Sequence, residues 1–178
     1  IGDGAAAAII VSERKARELG MRRAIRVEAS QLSSGWDFAE GEESVAEGSV
    51  RALYEATGIG APVIDCIELH DASAPSELMY YEYLGLCAKG EGGRFVQEGH
   101  SRLGGSKPVR SEEHTSELMR KGHPIGATGL AQIVELTEQL RGEAGARQVA
   151  GAKVALAENG GGYIGTDAAA MVLTLLSR

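Results

Sequence analysis

The chain has 178 residues, 43% of them hydrophobic, which is enough to bury one sizeable core and excludes intrinsic disorder as its main state. Aromatics are only 4% while glycine reaches 25 residues, so the core must be built from Ala, Val, Leu and Ile packed closely at many glycines, a composition that suits α/β folds. With 18 Lys and Arg against 25 Asp and Glu the formal charge is −7, and no basic cluster longer than the Met21-Arg22-Arg23 step occurs, so nucleic acid and anionic membrane are disfavoured as partners.

Ala5 to Val11 (AAAAIIV) is a continuous apolar run bounded by glycine and Ser12, the pattern of a strand buried on both faces. Ser12 then caps a short charged helix, Glu13 to Leu19, that stops at Gly20. Ala24 to Leu32 alternates apolar and polar residues and predicts a strand with one covered and one partly wet face; the Ser/Gly/acid-rich stretch Ser33 to Gly41 is a loop. A helix follows from about Ser44 to Thr57, ended by Gly58-Ile59-Gly60, and then a strand from Val63 to His70. Beyond Pro75 the pattern is helical through Tyr83, with Glu77 near the positive end of the helix and Gly85 as its stop.

Lys89 to Gly105 is glycine-rich and reads as loop. A small-residue turn, GHPIGATG from Gly122, leads into a helix from Leu130 to Leu140. Two apolar strands, Lys153 to Leu156 and Ala168 to Leu176, are separated by Asn159-Gly160-Gly161-Gly162 and pair directly, having no helix between them. Helices alternating with strands predict an α/β domain: a mostly parallel five-stranded sheet with helices on both faces.

Cys66 and Cys87 cannot form a disulfide framework and read as ordinary thiols of a reducing compartment. No apolar run approaches the ~20 residues needed to span a bilayer and no secretory signal is present, so the expectation is a soluble, cytoplasmic protein. The chain opens with Ile1-Gly2-Asp3-Gly4 in place of an initiator Met, which points to a fragment.

Three stretches carry chemistry: His70-Asp71-Ala72-Ser73, the eight residues Gly122 to Gly129, and Glu158-Asn159-Gly160-Gly161-Gly162. Each puts a polar or titratable side chain where a strand or loop turns toward a helix or glycine run, the place where open α/β sheets bind ligands. His123, held between Gly122 and Pro124, can act as a general base or an oxyanion donor. The glycines after Asn159 offer backbone N–H groups to a developing oxyanion.

GHPIGATG, the HDAS step, the Tyr83-Leu84-Gly85-Leu86-Cys87 step and ENGGG together resemble the C-terminal half of a thiolase, most closely the sterol-carrier-protein type. The resemblance covers nearly the whole chain. It implies one α/β half of a five-layer αβαβα fold, with residues 1–20 ending the N-terminal half and residues 21–178 forming the C-terminal domain. It also implies acyl transfer: a cysteine nucleophile on the other half is acylated by an acyl-CoA and a carbon–carbon bond is made or cleaved. Carried over by position, His123 activates the nucleophile and helps bind the thioester oxygen. His70 positions water or the substrate oxygen, and the N–H of Gly160 is the second oxyanion donor. Glu158 stands where the family has a Cys or His acid/base, and a carboxylate there could serve only with its pKa raised by burial.

Neither Cys66 nor Cys87 has the neighbourhood of the nucleophile, so the chain alone is expected to be inactive. The missing N-terminal half is its expected partner, with acyl-CoA or CoA as substrate, no separate cofactor, and a homodimer or homotetramer at full length. The apolar surface meant for that half should lie bare on the isolated chain. Residues 110–118, RSEEHTSEL, match the in-frame translation of a common sequencing-library adapter and are expected to be foreign to the domain. His100 and His114 lack metal-ligand spacing, so no metal is expected; Asp71 reads as structural, and Tyr80, Tyr81 and Tyr83 read as core and rim contacts. The alternative from another class is a non-catalytic thiolase-like protein that binds acyl-CoA or stabilises a partner subunit, which Glu at position 158 allows.

Overall fold

Side-chain caps and glycine stops place the helices. Ser12 accepts from the Lys15 amide at the head of α1 (Glu13–Glu18), and Ser44 and Glu47 cap each other's amides at the head of α2 (Val45–Thr57), which ends at Gly58 with φ of 68°. α3 (Ala74–Tyr83) takes Pro75 in its first turn, where a missing N–H is harmless, and α5 (Ile125–Arg141) ends on Gly142 in the same left-handed conformation as Gly58. A further short helix, α4 (Gly92–Gln97), lies between them in the chain. The structure is a computed structural model and describes residues 2–37, 39, 41–111, 123–165 and 167–178.

The strands are β1 (Arg26–Ser34), β2 (Cys66–Leu69), β3 (Val109–Ser111), β4 (Val154–Gly161) and β5 (Ala170–Ser177), in the spatial order β1-β5-β4-β2-β3. β2 is parallel to β3 and β4, whereas β5 runs antiparallel to both β4 and β1, so four strands share one direction. The alternation of side chains divides the core. Ile67, Leu69, Leu156, Leu173 and Leu175 pack with α2, α3 and α4 on one face. Cys66, Ala155, Ala157 and Leu176 pack with Leu136 and Leu140 of α5 on the other. Small residues on the second face let α5 lie close to the sheet.

The sheet has the expected five strands, but one is different. Ala5–Val11 joins no strand; Ile9 and Ile10 stand 89% and 82% exposed, because an extended segment becomes a strand only where a neighbour takes its N–H and C=O groups. Val109–Ser111 takes the fifth place, on the far side of β2. The strand expected from Val63 is shorter, since Ala61–Val63 form a 3-10 turn around Pro62. The stretch read as loop at Lys89–Gly105 contains α4: Phe95 is buried and its ring lies 5.1 Å from that of Tyr81, burial that outweighs the helix-breaking glycines. α5 starts inside the GHPIGATG motif, at Ile125, and its Gly129 lies beside Asn159 of β4, 3.9 Å from where a Cβ would stand.

Of the segment 110–118, Arg110 and Ser111 complete β3 opposite Glu68 and Leu69, and residues 112–118 lie outside the described residues, as do His114 and Gly122. On the α5 face, the cross-strand partners Leu32 and Val172 are left exposed, and Leu130 and Val134 of α5 are exposed as well. No helix among the described residues is long and apolar enough to cross a membrane.

The asymmetry between the two faces is testable. Leu156→Ala, in the closed core, is expected to cost about 2–5 kcal/mol in urea-induced unfolding, whereas Leu32→Ala, 71% exposed, should stay within about 0.5 kcal/mol.

Candidate active site

β2 and β4 are parallel neighbours and end at the same edge of the sheet, which brings residues 70 and 158 together although 88 positions separate them. The His70 amide donates to the main-chain oxygen of Glu158 and to its side-chain Oε2, each at 3.1 Å. The same main-chain oxygen also accepts from Nε2 of Gln132 at 2.8 Å, and Gln132 Oε1 accepts from the Asn159 amide group at 3.2 Å. Buried Gln132 therefore ties α5 to β4 at the level of the site.

His123 precedes α5, and its ring stacks on that of His70 with centroids 4.5 Å apart and planes 22° from parallel. Its Nδ1 lies 2.9 Å from the Thr128 hydroxyl, and that hydroxyl stands 3.3 Å from the Pro124 carbonyl oxygen. The Pro124 carbonyl already accepts from the Ala127 and Thr128 amides, so the Thr128 hydroxyl can either donate to Nδ1 of His123 or accept from it; where it accepts, the neutral ring carries its lone pair on Nε2. The second arrangement is the tautomer a general base acting through Nε2 requires. Gly4 crosses this turn so closely that a Cβ on it would sit 2.8 Å from Cγ of Pro124.

Glu158 is fully buried. In step with Leu156 along β4, it points to the α3 side of the sheet, where Tyr80 meets it. Burial pushes its carboxyl up to about 8, against the pull of the His70 amide and ring, the Tyr80 hydroxyl and the Gly160 amide, all of which favour the charged form. The carboxyl is thus a neutral acid at pH 7, the state in which it can give up a proton. Gly160 is not in a turn: β4 runs on through Asn159 and Gly160 to Gly161, paired with β5, and the chain reverses after Gly162, at φ of 67°. A Cβ at Gly160 would lie 2.7 Å from the Tyr80 hydroxyl oxygen and 3.2 Å from Oε1 of Glu158.

The four residues singled out in the sequence, His70, His123, Glu158 and Gly160, therefore meet at one end of the sheet. Asp71, buried beside them, does not cap α3, whose N-cap is Ser73. Cys66 lies under α5 in the core and Cys87 beyond α3, where burial raises its thiol pKa, so neither has the electropositive setting of a reactive thiolate. Among the described residues no group of three or more His, Cys, Asp and Glu is placed to hold a metal ion. Sequence reasoning missed Thr128, Gln132 and Tyr80. A polar residue recurring on the inward face of a helix, as Thr128, Gln132, Glu135 and Gln139 do on α5, was the signal available for two of them.

The fold is that of a thiolase half, and comparison with known proteins agrees. A family model described as thiolase C-terminal domain-like matches residues 24–174, and the chain belongs to that family. It is 42% identical to sterol carrier protein 2 of Rattus norvegicus over 96% of this chain and 31% of that protein. It is 39% identical to the benzoylsuccinyl-CoA thiolase subunit BbsB of Thauera aromatica (84% and 39% covered) and 37% identical to an acetyl-CoA acetyltransferase of Methanothermobacter thermautotrophicus (94% and 44%). A solved structure titled Ltp2-ChsH2(DUF35) aldolase has the same fold, with a TM-score of 0.63 at 22% identity over 85% of this chain and 38% of that one. The chain spans about a third of the length of the first of these relatives.

The neutral carboxyl makes stability depend on pH. Unfolded, Glu158 titrates near the ordinary carboxylate value of 4.5, so between there and about 8 the folded protein holds one proton more; its contribution is complete below pH 4.5 and lost as pH rises through about 8. Glu158→Gln is expected to flatten the fall of melting temperature across that window, read by calorimetry at stepped pH. An unchanged slope would mean that the carboxyl is ionised throughout.

Proposed function

We propose that the chain is the C-terminal part of a thiolase-type acyltransferase acting on acyl-CoA or 3-oxoacyl-CoA, inactive alone and completed by the half that carries the cysteine nucleophile. The observation that carries this reading is the His70–His123 stack at 4.5 Å, set at the same sheet edge as Gly160 and a neutral Glu158. In it, Nε2 of His123 takes the proton of the cysteine thiol, and the thiolate displaces CoA from the thioester. During the carbon–carbon step the thioester oxygen is held by His123, the Gly160 N–H is the second oxyanion donor, and His70 holds the substrate oxygen directly or through water. Glu158 is the second acid/base, supplying a proton from its neutral form and recovering it later in the cycle.

Acyl-CoA and CoA enter as substrates, and the reading requires no further cofactor. The exposed apolar residues of the α5 face, Leu32, Val172, Leu130 and Val134, are where the other half would pack, and the complete enzyme would be a cytoplasmic homodimer or homotetramer. A second reading, a non-catalytic acyl-CoA-binding or partner-stabilising subunit, draws support from the relative named as a thiolase subunit.

The test is thiolysis of a 3-oxoacyl-CoA by the full-length protein, followed at the enolate absorbance. His123→Ala is expected to lower kcat by about 10²–10⁴-fold. Wild-type turnover that survived this substitution would remove the assignment, and tight acyl-CoA binding with no turnover would favour the second reading.

A further inference from the structure

The two carboxyl oxygens of Glu158 are not equally served. Oε2 accepts from the His70 amide, whereas Oε1, fully buried, makes no hydrogen bond of ordinary geometry to any described residue. A buried carboxyl oxygen without a donor is costly once the group ionises, so a site that cycles the Glu158 proton needs a donor that can approach Oε1. The side chain aimed there is Tyr80 of α3. Its hydroxyl and Oε1 crowd the same point above Gly160, 2.7 Å and 3.2 Å from the place a Cβ would occupy, so the absence of a side chain at Gly160 is what lets them meet. Tyr80 is half-buried at the rim of the core, its ring edge-on to that of Tyr83 with centroids 6.1 Å apart.

We propose that Tyr80 is the positioning residue for Glu158: its hydroxyl, leaning over Gly160, donates to Oε1 when the carboxyl gives up its proton, and so sets how readily that proton leaves. The proposal rests on the reading of Glu158 as the second acid/base, and it adds a residue that acts through the carboxyl without touching substrate. The groups facing the carboxyl are the His70 amide and ring from the end of β2, the Tyr80 hydroxyl from α3 and the Gly160 amide of its own strand. His123 stacks on His70, and Gln132 of α5 reaches only the main-chain oxygen. Asp167 and Tyr83 act on Tyr80, and burial keeps its phenol protonated. Of the side chains among these, Tyr80 is the one that can donate a neutral O–H to the carboxylate. A donor to the charged form lowers a carboxyl pKa, so its removal must raise the pH at which Glu158 ionises.

The experiment is an infrared titration of the full-length protein labelled with ¹³C-glutamate, in which the protonated-carboxyl C=O band that Glu158→Gln abolishes belongs to Glu158. Tyr80→Phe, which deletes one oxygen, should move the midpoint of that band upward by about one pH unit. Tyr83→Phe, the same change three residues along α3, should leave it in place. Replacing Tyr80 by 3-fluorotyrosine, a stronger donor, should move it downward, and keeps the test open should the Phe variant not fold. A midpoint unmoved or lowered by Tyr80→Phe, or moved equally by Tyr83→Phe, would overturn the proposal. The titration uses no substrate, so its outcome is independent of whether the protein performs thiolysis. If it does, Tyr80→Phe should displace the limb of the kcat–pH profile governed by Glu158 in the same direction as the infrared midpoint.

Discussion

The Glu158 carboxyl reaches the end of β4 without any water-exposed surface, and a charge there would be heavily penalised in so apolar a setting. The molecule meets that constraint from three elements at once. β2 contributes the His70 amide, which binds both the main-chain and the side-chain oxygen of Glu158; α5 contributes Gln132; α3 brings Tyr80. Each group fixes the position of the element that carries it. His70 cannot move from β4 without exposing a buried acceptor, and α5 cannot slide along the sheet without breaking the Gln132 bond. The imidazole stack, which depends on the end of β2 and the start of α5, is therefore held in register by contacts made at a residue, Glu158, that belongs to neither element.

The sequence made the elements legible where local chemistry decides them. Ser44 before an apolar stripe and Gly58 after it mark the ends of α2, and Ser12 and Gly20 bracket α1, which ends one residue before the expected Leu19. It misled where the decision is made by neighbours. AAAAIIV has the composition of a buried strand, yet no sheet edge among the described residues accepts it, whereas the short Val109–Ser111 is a strand because β2 offers an edge. Gly92 and Gly93 argue against a helix, and Phe95 makes one by finding Tyr81. ENGGG looks like a turn because glycine punctuates turns, but the pairing of β4 with β5 carries the strand through two of its glycines.

The candidate site was legible for a similar reason and to a similar extent. His123 and His70 stand out as titratable residues among small or turn-forming neighbours, and Glu158 and Gly160 as the acid and first glycine of a strand end. What holds them was less visible. Thr128 and Gln132 sit on an amphipathic helix whose inward face looks apolar only if Ile133, Leu136 and Leu140 are counted, while the polar residues that also point inward bind backbone and imidazole. Tyr80 was read as packing because a tyrosine at helical spacing usually packs; its hydroxyl matters here through a residue 78 positions away, a relation that no local pattern carries.

The bare Cα of Gly160 has a consequence of its own. The position is defined by atoms that are missing, so it admits no conservative replacement: even alanine, the smallest change, places a carbon within 2.7 Å of the phenol oxygen and must drive either Tyr80 or the carboxyl out of place. Phenol, carboxyl and the inner strand β4 are thereby mechanically coupled at a point where no side chain fits. A movement of α3 that carried Tyr80 away would be felt at Glu158 as a change in acidity, not as a broken contact, so a helix on one face of the sheet can tune the chemistry at its end without touching the histidines on the other.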